Sequence, residues 1–250
     1  MSGHSKWASI KHKKAATDAK KGQLFTKLIK ELTIAARSGG GNSETNVALR
    51  VAITRAKESN MPSDNIDRAI KRGTGELPGI IYETVIYEGY GPAGVAVMVE
   101  ALTDNKNRAS AEIRNIFNKR GGNMAGAGSV AWMFTKKGYI LVDKTQSKEE
   151  DLLDVVLDAG AEDVKSEDEK NFEIFTQPQD LEKVKAAMQA KNIKFNLAII
   201  TMIPSSTVKL GGQDAKNILA LVEDLEGHED AQNVYANFDI PDEILEQETV

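Results

Sequence analysis

Residues 138–203 read GYILVDKTQSKEEDLLDVVLDAGAEDVKSEDEKNFEIFTQPQDLEKVKAAMQAKNIKFNLAIITMI. Residues 139–142 are a short unbroken apolar run, as in a buried strand. Ser147 and Glu150 form a capping box. Leu152, Leu153, Val156 and Leu157 then recur at helical spacing until Gly160. Two strands follow, near 162–165 and 172–176. Pro178 opens a helix bearing Leu181, Val184 and Met188, and a long strand over 195–203 closes the series. The order β-α-β-β-α-β is the ferredoxin-like split βαβ pattern.

The chain on either side repeats part of this pattern. Residues 80–88 and 95–103 read as strands, the second almost wholly apolar. Residues 105–119 read as a helix with Ala109, Ile113, Ile116 and Phe117 on one side, and 130–135 as a strand. A last helix over about 214–226 and a last strand over 233–238 complete a second β-α-β-β-α-β set with 95–135 and part of the 198–203 strand. The sequence therefore predicts a middle α/β domain, 80–136 and 204–250, interrupted by an inserted ferredoxin-like domain, 137–203. Upstream, Leu24, Leu28, Leu32 and Ala35 mark a helix ended by Gly39-Gly40-Gly41. Asn46 caps a second helix with Leu49, Ile53 and Ala56. Pro62 suits the first turn of a third, with Ile66, Ala69 and Ile70, stopping at Gly73. Residues 21–79 are thus a helical domain behind a basic arm, 1–20. The expected fold class is α+β: an N-terminal helical domain plus two ferredoxin-like α/β domains, one inserted in the other.

Composition narrows the chemistry. The 250 residues include no cysteine and three histidines, at 4, 12 and 228. Thiolate metal sites, disulfides and cysteine nucleophiles are excluded. No run approaches the roughly 18 apolar residues of a membrane span. The start carries no apolar signal segment and no arginine before Arg37, and Ser2 stands where myristoylation needs glycine. A cytoplasmic protein is expected, with no cofactor and no bound metal.

The charge distribution is the strongest functional signal. Residues 1–75 hold fifteen Lys and Arg against six Asp and Glu, whereas the rest holds seventeen against thirty-one. A net of +9 on the head and −14 on the body fits a head that meets a polyanion. Lysines release counterions from phosphates, and Trp7 can stack on a base. Contacts are expected from His4, Ser5, Lys6, Trp7, Lys11, His12, Lys13, Lys14, Lys20 and Lys21 in the arm. Lys27, Lys30, Arg37, Arg68, Lys71 and Arg72 extend the patch onto the helices, with Arg50 and Arg55 beside them.

Three motifs need weighing. Gly89-Tyr-Gly91-Pro-Ala-Gly94 matches GxGxxG, but a strand follows it where a nucleotide site needs a helix, so a turn is expected. Residues 121–129 form a glycine loop without the Lys-Ser/Thr pair of a P-loop. It is either a flexible connection or a surface loop that lets a backbone approach closely. Asp104-Asn105-Lys106-Asn107-Arg108 lies where a strand meets a helix. Capping alone explains Asp104 or Asn105; capping plus binding adds phosphate contacts from Lys106 and Arg108 and base or ribose contacts from Asn105 and Asn107. No HExxH, GxSxG or histidine-bearing cluster appears, so an enzyme is not expected.

The residues also carry a resemblance. Gly3-His-Ser-Lys-Trp7 with Ile10-Lys-His-Lys-Lys14 resembles the opening of the YebC/PmpR family. Asn60-Met-Pro62 with Ile66, Arg68-Ala-Ile70 and Gly73 is similar to its helical signature. Tyr87-Glu-Gly-Tyr-Gly-Pro92, Glu100-Ala-Leu-Thr-Asp-Asn105, Asn107-Arg108, Gly121-Gly122, Gly128-Ser-Val130 and Phe134 resemble its central block, and Val234-Tyr235 with Asn237-Phe238 its end. The resemblance implies three domains, the last inserted in the middle one, and a cytoplasmic, non-enzymatic protein. It implies a DNA-binding transcriptional regulator acting on promoter DNA. The alternative is a ribosome-associated translation factor that binds ribosomal RNA and relieves stalls at proline runs. No membrane or small-molecule substrate is implied, and without an obvious dimer seam a monomer is expected.

Overall fold

The computed structural model describes residues 18–241, Glu169 excepted, together with Ile244; for residues 18–21 it describes the backbone alone. The described residues fall into two compact units. One contains the helical segment through Val130 and resumes over Gly211–Ala236; the other contains Ala131–Leu210 and the chain from Asn237.

The first unit begins with α1 (Asp18–Gly39), α2 (Val47–Glu58) and α3 (Ser63–Thr74). Leu28, Leu32, Leu49, Ala52, Ala56, Met61, Ile66 and Ala69 share their core. Asn46 caps α2 as expected, its Oδ1 accepting the Leu49 N–H at 3.0 Å. The same side chain also donates to Ala35 O at 2.7 Å and Gly40 O at 2.8 Å, so it closes the end of α1 as well. Gly73 sits where α3 crosses α1. A Cβ there would stand 2.4 Å from Thr33 O, a gap that only hydrogen can fill.

The sheet of this unit uses β1 (Glu83–Tyr90), β2 (Ala96–Thr103) and a short β3 (Asn123–Met124), with α4 (Lys106–Lys119) between the last two. Gly89–Gly94 is a hairpin turn, as expected. Gly91 N–H donates to Val95 O, and Ala93 and Gly94 take positive φ. Gly91 packs on Ile218 and Leu221 of the helix that follows Gly211, where a Cβ would collide.

The second unit holds β4 (Phe134–Asp143), α5 (Glu149–Asp158), β5 (Ala161–Lys165), β6 (Asn171–Thr176), α6 (Leu181–Ala190) and β7 (Leu197–Pro204). The sheet order β5-β6-β4-β7 is that of a split βαβ. Ile140, Val142 and Ile174 pack against Leu152, Val156, Val184 and Met188 on one face. Tyr139, Leu141 and Leu197 lie on the other. Two details differ from expectation. Residues 131–133 form a 3-10 turn, and β4 begins at Phe134 inside this sheet. Ser147 makes no cap, because the extended N-cap residue is Lys148, one position later. The chain continues through β8 (Val208–Lys209), then α7 (Gly212–Gly227) and β9 (Ala231–Ala236) of the first unit. It returns as β10 (Phe238–Asp239), parallel to β8.

The first sheet is ordered β3-β1-β2-β9, with antiparallel neighbours. No part of residues 198–203 enters it; β7 pairs with β4 alone. Read from β3, the order matches that of the other sheet read from β5. The place expected for part of the 198–203 strand is filled by β1, brought in by the hairpin.

Candidate nucleic-acid interface

His4, Ser5, Lys6, Trp7, Lys11, His12, Lys13 and Lys14 lie outside the described residues, as do the side chains of Lys20 and Lys21. On the helices the expected cations divide into two groups. Arg37, Arg68, Lys71 and Arg72 are exposed, and among the described residues none of them forms an ion pair. Arg37 lies on α1, and Arg68, Lys71 and Arg72 lie on the exposed side of α3. Arg37 follows the α1 backbone that Gly73 touches, while Lys71 and Arg72 immediately precede that glycine. Lys71 and Arg72 also complement the C-terminal dipole of α3. Arg50 is exposed, and Arg55 donates to Glu31 at 2.8 Å.

Lys27 and Lys30 belong to the second group, which points inward. Lys27 Nζ donates to Glu226 O at 2.6 Å, beside the end of α7. Lys30 is 5% exposed; its Nζ donates to Glu229 O at 3.1 Å and to Asp230 Oδ1 at 2.5 Å. Tyr82 lies beneath the ammonium, 5.6 Å from ring centre to nitrogen. The sequence pattern places Lys30 on the surface patch; the fold spends it inside the molecule.

Asp230 is the centre of that network. It is fully buried, and Oδ2 accepts Thr103 Oγ1–H at 2.9 Å and Arg108 Nη2–H at 2.9 Å. Burial pushes its carboxyl up, but the hydrogen bonds from Lys30, Arg108 and Thr103 outweigh burial and hold it below the usual range. The hydrogen bond to Asp230 raises the guanidinium of Arg108 in turn. His228 supports the turn: its Nδ1 accepts the Asp230 N–H at 3.1 Å, which leaves Nε2 to donate to Glu112 at 2.9 Å.

The 104–108 segment is therefore largely structural. Asn105 caps α4 by accepting the Arg108 N–H at 3.1 Å. Arg108 also reaches Asp104 at 3.0 Å. Lys106 pairs with Glu83 at 2.5 Å, both half exposed. Asn107 alone of the four expected contacts is exposed with no side-chain hydrogen bond among the described residues.

Sequence reasoning missed the residue that shapes the glycine loop. Glu88 is 4% exposed, and its two carboxylate oxygens accept Gly128 N–H at 2.6 Å and Val130 N–H at 2.7 Å. Ala125 N–H bonds the Glu88 carbonyl at 2.8 Å. Gly122 lies close against Tyr90 O and Gly91. The loop is tied down at both ends and leaves Gly126 and Ala127 outermost. Glu88 alternates in a strand like any outward acid, so only its tertiary partners mark it. Among the described residues no three or more His, Asp or Glu side chains gather to hold a metal ion, and no helix is long and apolar enough to cross a membrane.

Fold and surface together define an α+β protein with a cationic three-helix head, pinned to an antiparallel sheet by a buried ion network, and a separate ferredoxin-like unit. The chain belongs to the TACO1/YebC family: residues 5–76 match its N-terminal domain and residues 82–238 its second and third domains. A relative from Dictyoglomus turgidum is 57% identical over 247 residues, covering 98% of this chain and 99% of its own. One from Natranaerobius thermophilus is 55% identical over 249 residues, with 98% and 99% coverage. Both are named probable transcriptional regulatory protein. The crystal structure of a conserved hypothetical protein from Aquifex aeolicus matches with a TM-score of 0.75 and 47% identity, over 90% of this chain and 92% of that one.

Proposed function

We propose that this protein is a non-enzymatic, nucleic-acid-binding regulator of gene expression that docks on DNA through its cationic head. The observation that carries this reading is the exposed set Arg37, Arg68, Lys71 and Arg72 on two packed helices. None of the four forms an ion pair among the described residues, Asp64 and Asp67 standing one turn before Arg68 and Lys71 without bonding them, and the four continue a lysine-rich arm in the sequence. The relatives' name supports transcription as the process, and promoter DNA is the target we propose with it. Lys27, Lys30 and Arg108 are not assigned to the interface, since their charges are used internally.

The test is fluorescence anisotropy of the full chain on duplex DNA across a salt series. Replacing Arg68, Lys71 and Arg72 by Ala is expected to weaken binding and to flatten the plot of log affinity against log salt by about 0.9 per lost phosphate contact. Replacing Lys11, Lys13 and Lys14 is expected to do the same. An unchanged slope in both variants refutes the assignment. Crosslinking in cells with sequencing of attached DNA and RNA fixes the target. Reads at a few promoters are expected; reads concentrated on ribosomal RNA would move the protein to translation.

A further inference from the structure

Helix α4 carries an outward stripe that the packing does not explain. Ala109, Ile113 and Phe117 are buried on one side. On the other side Asn107, Ala111, Arg114, Asn115 and Asn118 are exposed and follow one another at helical spacing. Among the described residues the side chains of Asn107, Arg114, Asn115 and Asn118 make no hydrogen bond or ion pair. Asparagine is a poor helix former because its amide competes for backbone groups. Asn105 justifies itself as the cap; Asn115 weakens the helix interior, and the side chains of Asn107, Asn115 and Asn118 gain no partner within it. Each presents a paired donor and acceptor, the set that matches an adenine edge, and Arg114 presents the fork that matches guanine.

We infer that the outer face of α4 reads base edges in the major groove of duplex DNA. The inference rests on the nucleic-acid reading above and adds an element and a mode of recognition to it. The stripe from Asn107 to Asn118 is about 16 Å long, near five base pairs, and the groove is about 12 Å wide and admits a helix. A single strand fits less well, since the stripe offers no aromatic ring for stacking; Phe117 faces the core. The charge is suitable. Arg114 is uncompensated, Lys119 ends the helix, and Asp224 of α7 is neutralised by Arg120 at 2.7 Å. Glu112, at the flank, is bonded by His228.

The experiment selects a preferred site for the full-length protein from random duplexes and compares affinity for that site and a scrambled duplex. The wild type is expected to prefer its site by about tenfold or more. The triple variant Asn107→Ala, Asn115→Ala, Asn118→Ala is expected to lose that preference, keep its scrambled-duplex affinity and salt slope, and melt no lower than wild type. A second variant, Arg114→Lys, keeps the charge but loses the fork, and is expected to lose preference at the guanine position alone. Retained preference in both variants overturns the inference. So does a wild type that binds every duplex alike, or one that favours structured RNA, whose deep major groove excludes a helix. A wild type that binds no nucleic acid refutes the reading beneath it, so the two failures are distinct.

Discussion

Asp230 shows how far a single residue can depend on partners distant in sequence. Its carboxylate lies 200 positions from Lys30 and 122 from Arg108. No local pattern links them, and Lys30 sits in a basic run that looks like surface. The network is therefore illegible in the sequence, whereas the exposure of Arg37 and Arg68 is legible there. Breaking a buried pair strands the remaining charge and costs about 3–5 kcal/mol. Asp230→Asn is expected to lose stability of that order by denaturant unfolding, and Lys30→Met added to it is expected to recover part, because the orphaned ammonium is removed. No recovery in the double variant would place the cost elsewhere. The acid response has a defined sign. The folded carboxyl titrates below its ordinary 3.8. Its stabilisation is complete above that value and is lost as pH falls through the depressed one. The variant should show a flatter acid limb.

At the scale of elements, glycine means different things at two places in the helices. Gly22 lies in α1 with nothing within 4 Å of an added Cβ, whereas at Gly73 that atom would meet Thr33 O and Ala36. Gly22→Ala is expected to stabilise by about 1 kcal/mol through helix propensity. Gly73→Ala gains the same propensity but forces α3 off α1, and is expected to destabilise by about 1–3 kcal/mol. Thermal melting of the two variants reads the opposite signs; matching shifts would contradict the close crossing. Elements governed by nearby residues were legible in this way. Asn46 and Asn105 cap where their spacing says, and the ferredoxin-like order of the second unit follows from its hydrophobic periods. What failed depended on non-local pairing. A strand at 130–135 and a share of 198–203 in the first sheet both satisfy the apolar pattern. Hairpin closure by β1 fills that place instead, and a 3-10 turn at 131–133 carries β4 into the other sheet.

For the whole molecule, the two units carry buried carboxyls that respond to acid in opposite directions. Asp230, in the first unit, supports the fold only while ionised. Glu173, in the second, is 3% exposed and accepts the Tyr139 hydroxyl at 2.7 Å. Burial raises its carboxyl above the ordinary 4.5, and the Tyr139 hydrogen bond only partly opposes this. Its ionised form therefore costs stability at neutral pH, and protonation removes that cost as pH falls through the raised value. Acid should loosen the first unit while it relieves the second. Hydrogen exchange at neutral pH and near pH 3, corrected for intrinsic rates, is expected to lose protection first where α1 meets the turn at 228–230. Strands β4 and β6 should hold theirs. Glu173→Gln keeps an acceptor for Tyr139 without the charge, and is expected to raise the melting temperature at pH 7 and give little change near pH 3. A uniform loss of protection, or a Glu173→Gln variant that melts lower at pH 7, would mean that the carboxylates do not set the acid response and that net charge across the chain does.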